Sequence, residues 1–501
     1  MTHFLIALLV GALSAFAFEP VGLWPLMLLA IAGLCELVSR STSLKQSLAI
    51  GWGFGLGQFA VGLNWIATAF TYQSNMPAWL GWVAVALLSL YLAVYPALAA
   101  GLGWRFGRDR PLTLVLALAG AWPIVEWLRG KMFTGFPWNP LGVTFADTPW
   151  LHTAPVIGTY GMSGLLVLAG GAAWLATRKR WLPAALIATS FLLAGFGLAP
   201  ASPAAASARH IRVVQPNIGQ QDKWRPEFAE EAARRLTALS LTPGGARPRL
   251  LLWPEAAVTY PLEDGRAVEQ PYAEFERQRA AATVGKGEYL LTGGIAIFSQ
   301  GGRAIDGAAN SVFVLGQGGQ QLGRYDKAHL TPYGEYLPMR PLLSSIGLSR
   351  LAPGDTDFTP GPGPRTFALP GWGKIGFQIC YEIIFPGEVV DRRDRPDFIF
   401  NPSNDAWFGR WGPPQHLAQA RLRAAEEGIP VIRSTPTGIS AVIDASGAVR
   451  AALPWRTAGV IDQILPPAAA PTLFARFGNV IPLLLGFALL IGGIVLGRTR
   501  R

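Results

Sequence analysis

Eight long apolar runs constrain this chain more than any other feature of its sequence. They lie near residues 3–18, 21–38, 46–71, 77–104, 111–128, 152–176, 181–199 and 479–497. A helix needs about 20 apolar residues to cross a bilayer, so the first two runs are marginal in length and the fourth, at 77–104, can tilt. A mean hydropathy of +0.31 with only 15% charged residues is also too apolar for an ordinary soluble protein. The sequence therefore predicts a polytopic α-helical membrane bundle of eight spans.

The first apolar run could instead be a secretory signal peptide. However, no cleavage site of the A-x-A kind follows Ala17, and a second apolar run begins at once. We therefore expect a retained helix, joined to the second one by a tight hairpin at Glu19 and Pro20.

Basic residues in alternate loops predict the orientation of the bundle. The positive-inside rule places loops rich in Lys and Arg in the cytoplasm, which puts both chain ends inside and the segment after residue 200 outside. Residues 200–478 hold 29 Lys and Arg and 26 Asp and Glu, whereas the remaining residues hold 13 and 5, so most of the net charge of +11 belongs to the membrane part. This distribution indicates topology, and we expect no nucleic-acid partner. The basic loop and tail residues are Arg40 and Lys45, Arg105, Arg108 and Arg110, Arg178, Lys179 and Arg180, and Arg498, Arg500 and Arg501.

Between residues 208 and 466 short β-branched runs alternate with charged helical stretches. This pattern predicts a layered α/β domain of about 260 residues. The expected domains are a membrane domain of seven helices at 1–199, an external catalytic domain at 200–471, and an eighth helix with a basic tail at 472–501. The predicted strands are 210–217, 250–253, 289–297, 311–315, 375–380, 397–400 and 440–443, and the predicted helices are 225–240, 273–285 and 414–427.

Three chemically distinct side chains fall at strand ends or in turn-rich loops of this domain. Glu255 follows an apolar strand, Lys327 precedes a loop with a second glutamate, and Cys380 closes another apolar run. A carboxylate that moves protons, a fixed cation that stabilises an oxyanion and a thiol that is acylated form a complete set for acyl transfer. The sequence therefore predicts a nucleophilic cysteine at residue 380.

Other interpretations of these residues remain open. Cys380 could be a small buried hydrophobe, Glu255 could cap a turn, and Lys327 could lie on a solvated surface. His329 or His416 could form a Cys-His dyad with Cys380. No paired His and Cys spacing of the zinc type occurs, and no glycine-rich phosphate loop is present, so we expect no metal and no cofactor.

The stretches around these residues resemble a known superfamily. Trp253-Pro254-Glu255, Lys327 with the tail at 332–336, and Ile379-Cys380-Tyr381-Glu382 resemble the Glu-Lys-Cys triad of the nitrilase (carbon-nitrogen hydrolase) superfamily. With the predicted spans and the segment Asn-Pro-Ser-Asn-Asp-Ala-Trp-Phe-Gly at 401–409, the whole chain resembles the apolipoprotein N-acyltransferase family. The resemblance implies a nitrilase-like αββα sandwich domain in the periplasm, attached to the inner membrane of a Gram-negative bacterium.

The resemblance also implies a ping-pong reaction. Cys380 would take a fatty acyl chain from a phospholipid, typically phosphatidylethanolamine, and pass it to the α-amino group of a diacylglyceryl-cysteine at the N-terminus of an apolipoprotein. By the same resemblance Glu255 is the general base and acid, and Lys327 stabilises the tetrahedral intermediates. Separately from the resemblance, we expect the enzyme to be a monomer. The supporting positions that it implies are Glu335, Tyr381 and Glu382 in the active site and Trp224 at the substrate entrance.

Two rival functions fit parts of the same pattern. A membrane-tethered nitrilase-type amidase would have an identical triad but would release its product to water, whereas a transferase must keep water from a thioester. A transporter with an external binding domain would normally carry ionisable groups midway through its spans. Here Glu36 and Glu126 lie near the ends of apolar runs, which disfavours the transporter.

Overall fold

The computed structural model describes residues 1–72, 76–199, 208–223, 225–345, 347–351 and 357–498. Helices dominate its first 200 residues and its C-terminal end. The helices are α1 (Thr2–Ser14), α2 (Pro25–Ser39), α3 (Leu44–Gly62), α4 (Trp65–Ala69), α5 (Leu80–Leu92), α6 (Val94–Gly107), α7 (Pro111–Lys131), α8 (Ala154–Thr177), α9 (Trp181–Phe196), α10 (Gln220–Lys223), α11 (Pro226–Leu241), α12 (Gln270–Ala281), α13 (Arg340–Ser345), α14 (Gly412–Glu427), α15 (Leu473–Phe477) and α16 (Val480–Arg498).

Within the described residues, four helical segments are long and apolar enough to cross a membrane. They are Leu80–Gly107, Pro111–Lys131, Pro149–Thr177 and Val480–Arg498. Shorter apolar helices cover Thr2–Ala17, Pro25–Ser39 and Trp181–Phe196, and α3 coincides with the remaining predicted run. Every predicted apolar run thus contains helix, while the count of eight spans and their orientation stay predictions.

The last helix packs closely on α7 through small residues. A Cβ atom on Gly120 would lie 2.5 Å from the Gly486 carbonyl oxygen, and one on Gly486 would lie 2.8 Å from the Gly120 carbonyl oxygen. Such contact requires glycine on both helices, as is usual where membrane helices approach backbone to backbone. The close packing joins the C-terminal helix to the N-terminal bundle, although about 350 residues separate the two in the sequence.

The strands of the described chain form two sheets. The first sheet has the order β13-β1-β2-β4-β5-β6, with β3 also paired to β4, and the second has the order β12-β11-β10-β9-β8-β7. The strands are β1 (His210–Gln215), β2 (Arg249–Leu252), β3 (Glu263–Asp264), β4 (Tyr289–Phe298), β5 (Gly307–Leu315), β6 (Gln321–Asp326), β7 (Thr366–Leu369), β8 (Gly373–Phe377), β9 (Phe398–Pro402), β10 (Val431–Ser434), β11 (Ala441–Ile443), β12 (Val449–Ala452) and β13 (Gly459–Ile464).

Alternate residues of the first sheet belong to two different cores. Leu252 and Val312 pack in one cluster with Phe377 and Phe400 of the second sheet, whereas Leu251 and its alternates pack in another cluster with residues of α11 and α12. This period of two is the expected pattern for a sheet buried on both faces. With α14 against the second sheet and against α8, the order of layers is helix, sheet, sheet, helix, as the sequence analysis predicted.

All seven predicted strands and all three predicted helices of this domain are present, with small shifts in their ends. One prediction needs a correction. The strand predicted at 375–380 ends at Phe377, and Cys380 instead begins a 3-10 helix, Cys380–Ile384. The nucleophile candidate therefore lies on a turn beyond the strand rather than in it.

Candidate active site

The first sheet supplies the charged part of the candidate site. Beyond β2, the Trp253 amide still bonds to the Leu291 carbonyl oxygen at 2.9 Å, which continues the strand pairing up to Glu255. The Trp253 ring is anchored by its own hydrogen bond to Ser240 Oγ at 2.8 Å. Beyond β6, the Lys327 amide donates to the Asn310 carbonyl oxygen of β5 at 2.9 Å. The backbone ladder thus fixes both catalytic candidates of this sheet.

The side chains of this part form one buried ionic cluster. Lys327 Nζ lies 2.9 Å from Glu335 Oε2 and 3.8 Å from Glu255 Oε1. Asn310 Nδ2 lies between the two carboxylates and donates to Glu255 Oε1 and to Glu335 Oε1, each at 2.7 Å. Burial alone would lower the pKa of Lys327, but Glu335 and Glu255 outweigh it and hold that pKa above its ordinary value. The cluster therefore keeps a fixed positive charge at the site.

One oxygen of Glu255 remains available in this cluster. Glu255 Oε2 is buried and accepts no hydrogen bond from any described residue, although Oε1 of the same carboxylate is held by Asn310. Buried polar atoms are nearly always paired, so an exception calls for an explanation. An oxygen that is held in place and still free to take a proton is what a general base requires.

The second sheet supplies the thiol. Cys380 is 6% exposed and has a backbone φ of +50°, a left-handed conformation that residues other than glycine rarely adopt. Burial raises the pKa of the Cys380 thiol well above its ordinary value, and the Glu255 charge raises it further. Lys327 and the Asn404 backbone N–H act in the opposite direction. The resting thiol is therefore protonated at neutral pH, and it needs a base before it can attack a carbonyl carbon.

Glu382 ties the two sheets together next to the thiol. Its Oε2 accepts from the Ile379 amide at 2.7 Å, just before Cys380. Its Oε1 accepts from the Ala328 and His329 amides, just after Lys327, at 2.8 and 3.1 Å. The Tyr325 hydroxyl also donates to that oxygen at 2.9 Å. Burial raises the pKa of Glu382 to about 7, against the effect of these hydrogen bonds and of Lys327. Glu382 thus sets the spacing between the lysine and the cysteine segments.

The other predicted residues have different surroundings. Tyr381 is buried and its hydroxyl donates to the Gly135 carbonyl oxygen at 3.0 Å, in the loop after α7. His329 Nε2 lies 2.9 Å from the Thr134 carbonyl oxygen, and His416 Nε2 lies 3.1 Å from the Cys380 carbonyl oxygen. Among the described residues, neither ring makes a hydrogen bond to the Cys380 thiol, and Nδ1 of His416 contacts Asp405 and Arg433, so the geometry does not support a Cys-His dyad. Trp224 lies outside the described residues.

Two further residues of the site were not predicted from the sequence. Asn310 is the buried amide between the two carboxylates, and its only signal was a polar residue inside an apolar strand. Lys223 is 6% exposed and donates from Nζ to the Glu255 carbonyl oxygen at 3.1 Å. Burial lowers the pKa of Lys223 to about 8, although Glu255 and Cys380 oppose that shift. No group of His, Cys, Asp and Glu suited to a metal ion occurs in the described part of the chain.

Comparison with known proteins gives two family matches. The apolipoprotein N-acyltransferase N-terminal domain matches residues 10–172, and the carbon-nitrogen hydrolase domain matches residues 210–469. Together with the apolar helices, these matches define the class: a carbon-nitrogen hydrolase domain on a chain with helices suited to a membrane.

Relatives that match over nearly the full length narrow this class. Apolipoprotein N-acyltransferase of Rhodopseudomonas palustris is 35% identical, over 95% of this chain and 91% of the relative. The proteins of the same name from Bradyrhizobium diazoefficiens and Caulobacter vibrioides are 36% and 35% identical, over 95% and 99% of this chain and 91% and 94% of the relatives. This chain belongs to the apolipoprotein N-acyltransferase family.

Proposed function

We propose that the protein transfers a fatty acyl chain from a phospholipid to the α-amino group of the N-terminal diacylglyceryl-cysteine of apolipoproteins. The reaction proceeds through a thioester on Cys380, with Glu255, Lys327 and Cys380 as the catalytic triad. The observation that carries this proposal is one buried site in which Lys327 is ion-paired with Glu335 and lies 3.8 Å from Glu255, one Glu255 oxygen is unpaired, and both charges affect the pKa of the buried Cys380 thiol. Membership of the family supports the choice of donor and acceptor.

The first half-reaction loads the enzyme. Glu255 Oε2 takes the thiol proton, and the sulfur attacks the ester carbonyl carbon of the phospholipid. The carbonyl electron pair moves to the oxygen, and the Lys327 ammonium stabilises the resulting oxyanion. When the intermediate collapses, the bond from the carbon to the glycerol oxygen breaks. The leaving oxygen takes the proton from Glu255, which gives a lysophospholipid and the acyl-thioester.

The second half-reaction unloads it. The α-amino group of the acceptor attacks the thioester carbon, Glu255 takes a proton from the attacking nitrogen, and Lys327 again stabilises the oxyanion. The carbon-sulfur bond then breaks, the thiolate recovers a proton from Glu255, and the amide product leaves. Glu335 supports Lys327 through their 2.9 Å ion pair, while Glu382 and Tyr381 support the backbone around Cys380. For Trp224, which lies outside the described residues, we propose a role at the substrate entrance on the family resemblance alone.

The cellular setting follows from the substrates. A phospholipid such as phosphatidylethanolamine and a diacylated acceptor both reside in a bilayer, so we propose an enzyme of the bacterial inner membrane. From the eight apolar runs we propose eight spans, and we propose that the enzyme is a monomer. The proposed domains are the membrane domain at 1–199, a periplasmic catalytic domain at 200–471, and the last helix with its basic tail at 472–501. The basic loops would then face the cytoplasm.

Intact mass of the purified protein tests the reaction. After incubation with phosphatidylethanolamine, the wild type should gain one acyl chain that hydroxylamine removes, and Cys380→Ser should not gain a hydroxylamine-labile adduct. Cys380→Ala should gain nothing. A diacylated lipopeptide should discharge the adduct. If no adduct forms, the proposed transfer is wrong. If water alone discharges it equally fast, the membrane-tethered amidase is the better assignment.

Labelling of single cysteines tests the orientation. In a background with Cys35→Ala and Cys380→Ala, a membrane-impermeant thiol reagent applied to spheroplasts should modify Lys286→Cys, because residue 286 is exposed on the catalytic domain. The same reagent should not modify Lys179→Cys, which is exposed in the loop between α8 and α9. The reverse pattern would contradict a periplasmic catalytic domain.

A further inference from the structure

The Cys380 backbone is held in an uncommon conformation by a contact outside the triad. Its φ of +50° is disfavoured for a side chain with a Cβ atom. The Cys380 carbonyl oxygen lies 3.1 Å from Nε2 of His416, on α14. Strained residues persist only where their surroundings over-determine them. The His416 contact is therefore a candidate for what keeps the turn, and with it the sulfur, in place.

His416 is itself fixed by a fully buried ionic network. Its ring is 0% exposed, and Nδ1 lies 3.0 Å from Asp405 Oδ1 and 3.0 Å from Arg433 Nη2. Arg433 Nη2 also donates to both oxygens of Asp405 at 2.6 Å. Burial and the Arg433 charge lower the pKa of His416, so the neutral ring is favoured. A neutral ring that donates from Nε2 to Cys380 accepts at Nδ1 from Arg433.

The same network reaches the thiol from a second direction. Asp405 directly follows Asn404, whose backbone N–H acts on the Cys380 thiol and lowers its pKa. The Asn404 side chain donates to Gln220 Oε1 at 2.8 Å, which fixes that residue on its other side. Asp405 and His416 together therefore hold the thiol-facing amide and the cysteine carbonyl group in one rigid unit.

Helix α14 connects this unit to the membrane part. Gln415, next to His416, accepts from Trp138 Nε1 at 2.8 Å and donates from Nε2 to the Glu19 carbonyl oxygen at 2.9 Å. The Trp138 ring also packs against the His416 ring, with 5.3 Å between centroids. Trp138 and Glu19 belong to loops that follow α7 and α1, so membrane-side segments help to hold the histidine.

We propose that His416 is a positioning residue for Cys380: its Nε2–H fixes the strained cysteine backbone, and Arg433 links its Nδ1 to Asp405, which directly follows Asn404, whose amide faces the sulfur. The inference rests on the proposed function in that the reaction passes through Cys380. His416 touches no reacting atom and takes no proton from the thiol. Replacing His416 should lower the fraction of Cys380 that is present as thiolate at a given pH, while Glu255 and Lys327 stay in the site.

Alkylation of Cys380 tests this without any lipid substrate. The chain has only two cysteines, so peptide mass spectrometry after iodoacetamide treatment follows Cys380 separately from the buried Cys35. In detergent-solubilised full-length protein, His416→Leu should slow alkylation at pH 8 about tenfold, the size expected from one lost hydrogen bond, and should shift the pH profile upward. His416→Gln, whose amide can donate near the Nε2 position, should restore the rate to within about threefold of the wild type.

Controls separate positioning from general damage. Gln419→Met removes another buried polar side chain of α14, whose contact is a 3.4 Å hydrogen bond to Gln415 in its own helix, and it should leave the alkylation profile unchanged. If His416→Leu does not fold, His416→Asn, which lacks a donor at the Nε2 position, should show the same slow alkylation. Wild-type alkylation in a folded His416→Leu or His416→Asn variant would overturn the proposal, as would a glutamine variant no faster than leucine. If the alkylation results hold but the wild type transfers no acyl chain, the proposed function fails and the positioning role stands.

Discussion

The two halves of the candidate site are built on different sheets and by different forces. The charged half, Glu255, Asn310, Lys327 and Glu335, belongs to the first sheet and its following loops and is held by ion pairs around one lysine. The thiol half, with Cys380 on the turn that follows β8 of the second sheet, is held by backbone conformation and by hydrogen bonds to main-chain groups. The charged half sets the electrostatics around Lys327, whereas the thiol half sets the position of Cys380.

This difference indicates how each half should respond to mutation. In the charged half, isosteric changes that remove charge should alter the chemistry strongly, because the interactions of a buried charge are little screened. In the thiol half, changes that keep a donor in place should be tolerated, because what matters there is position. Each prediction below tests that contrast.

Glu255→Gln should have the largest effect, and it should act in opposite directions on two measurements. Loss of the proposed general base should slow acyl-thioester formation by about 10²- to 10⁴-fold. Loss of the same negative charge should lower the pKa of Cys380, because Glu255 is one of the causes that raise it, and should thus speed alkylation by iodoacetamide at pH 8. Both rates are followed on the Cys380 peptide by mass spectrometry.

Wild-type alkylation provides the reference for this test. Since the pKa of Cys380 lies well above its ordinary value, the thiolate fraction should rise about tenfold per pH unit between pH 7 and 9 without a plateau. A parallel fall of acylation and alkylation in Glu255→Gln would mean that the variant disturbs the site rather than removing one proton acceptor.

Lys327→Met should rank second. The side chain keeps its length but loses the charge that we propose to stabilise the oxyanion, so acyl-thioester formation should slow by about 10²- to 10³-fold. Here alkylation should slow as well, because Lys327 lowers the pKa of Cys380. Single-turnover rates with phosphatidylethanolamine and the alkylation profile check the two effects. Lys286→Met, at an exposed lysine of the same domain, is the control, and faster alkylation in Lys327→Met would contradict the electrostatic account.

The contrast between the halves also explains what the sequence could predict. The sequence alone could predict Glu255, Lys327 and Cys380, because charged or reactive side chains are conspicuous at the ends of apolar strands. The seven strands predicted from the sequence are rich in apolar or β-branched residues, whereas β6 reads Gln-Leu-Gly-Arg-Tyr-Asp and β12 is mostly exposed, so neither of these two has the composition of a core strand. Strands at a sheet edge and strands of polar composition form because they pair with a neighbouring strand. The hydrophobic periodicity of the sequence does not reveal that pairing.

The partners of each side chain were not predictable in the same way. Glu382 could have been a catalytic acid by its position near Cys380, yet it accepts hydrogen bonds from three backbone amides, two in the distant segment after β6 and one at Ile379 in its own turn. Asn310 and His416 likewise meet their partners only when segments distant in the sequence come together in the fold. A buried polar group needs a hydrogen-bond partner, but the sequence does not show which residue that partner is.

Glu335→Gln should have an intermediate effect, on stability more than on rate. The change leaves Lys327 without its 2.9 Å ion pair in a buried position, and loss of such a charged hydrogen bond should cost about 2 kcal/mol in free energy of unfolding. Acylation should slow about tenfold, because Lys327 is less well fixed for oxyanion binding. Thermal unfolding and single-turnover rates measure both effects.

A surface ion pair of the same sheet gives the matched control for Glu335. Glu263 pairs with Arg324 but its side chain is 37% exposed, so Glu263→Gln should cost less than about 1 kcal/mol and leave the rate unchanged. Equal losses of stability in the two variants would contradict the view that burial makes the charged half so sensitive.

Tyr381→Phe should have the smallest effect, although the residue directly follows the nucleophile. Its hydroxyl donates to the Gly135 carbonyl oxygen at 3.0 Å, away from Glu255 and Lys327, and its ring packs against Phe385 with 5.3 Å between centroids. Phenylalanine keeps the ring and loses only the hydrogen bond, so stability should fall by about 1 kcal/mol and acylation by less than about threefold. Tyr381→Ala, which also removes the ring, should be clearly worse in both measurements. A rate loss above about tenfold in Tyr381→Phe, with unfolding unchanged, would show that the hydroxyl takes part in the chemistry, and the thiol half would then act by more than geometry.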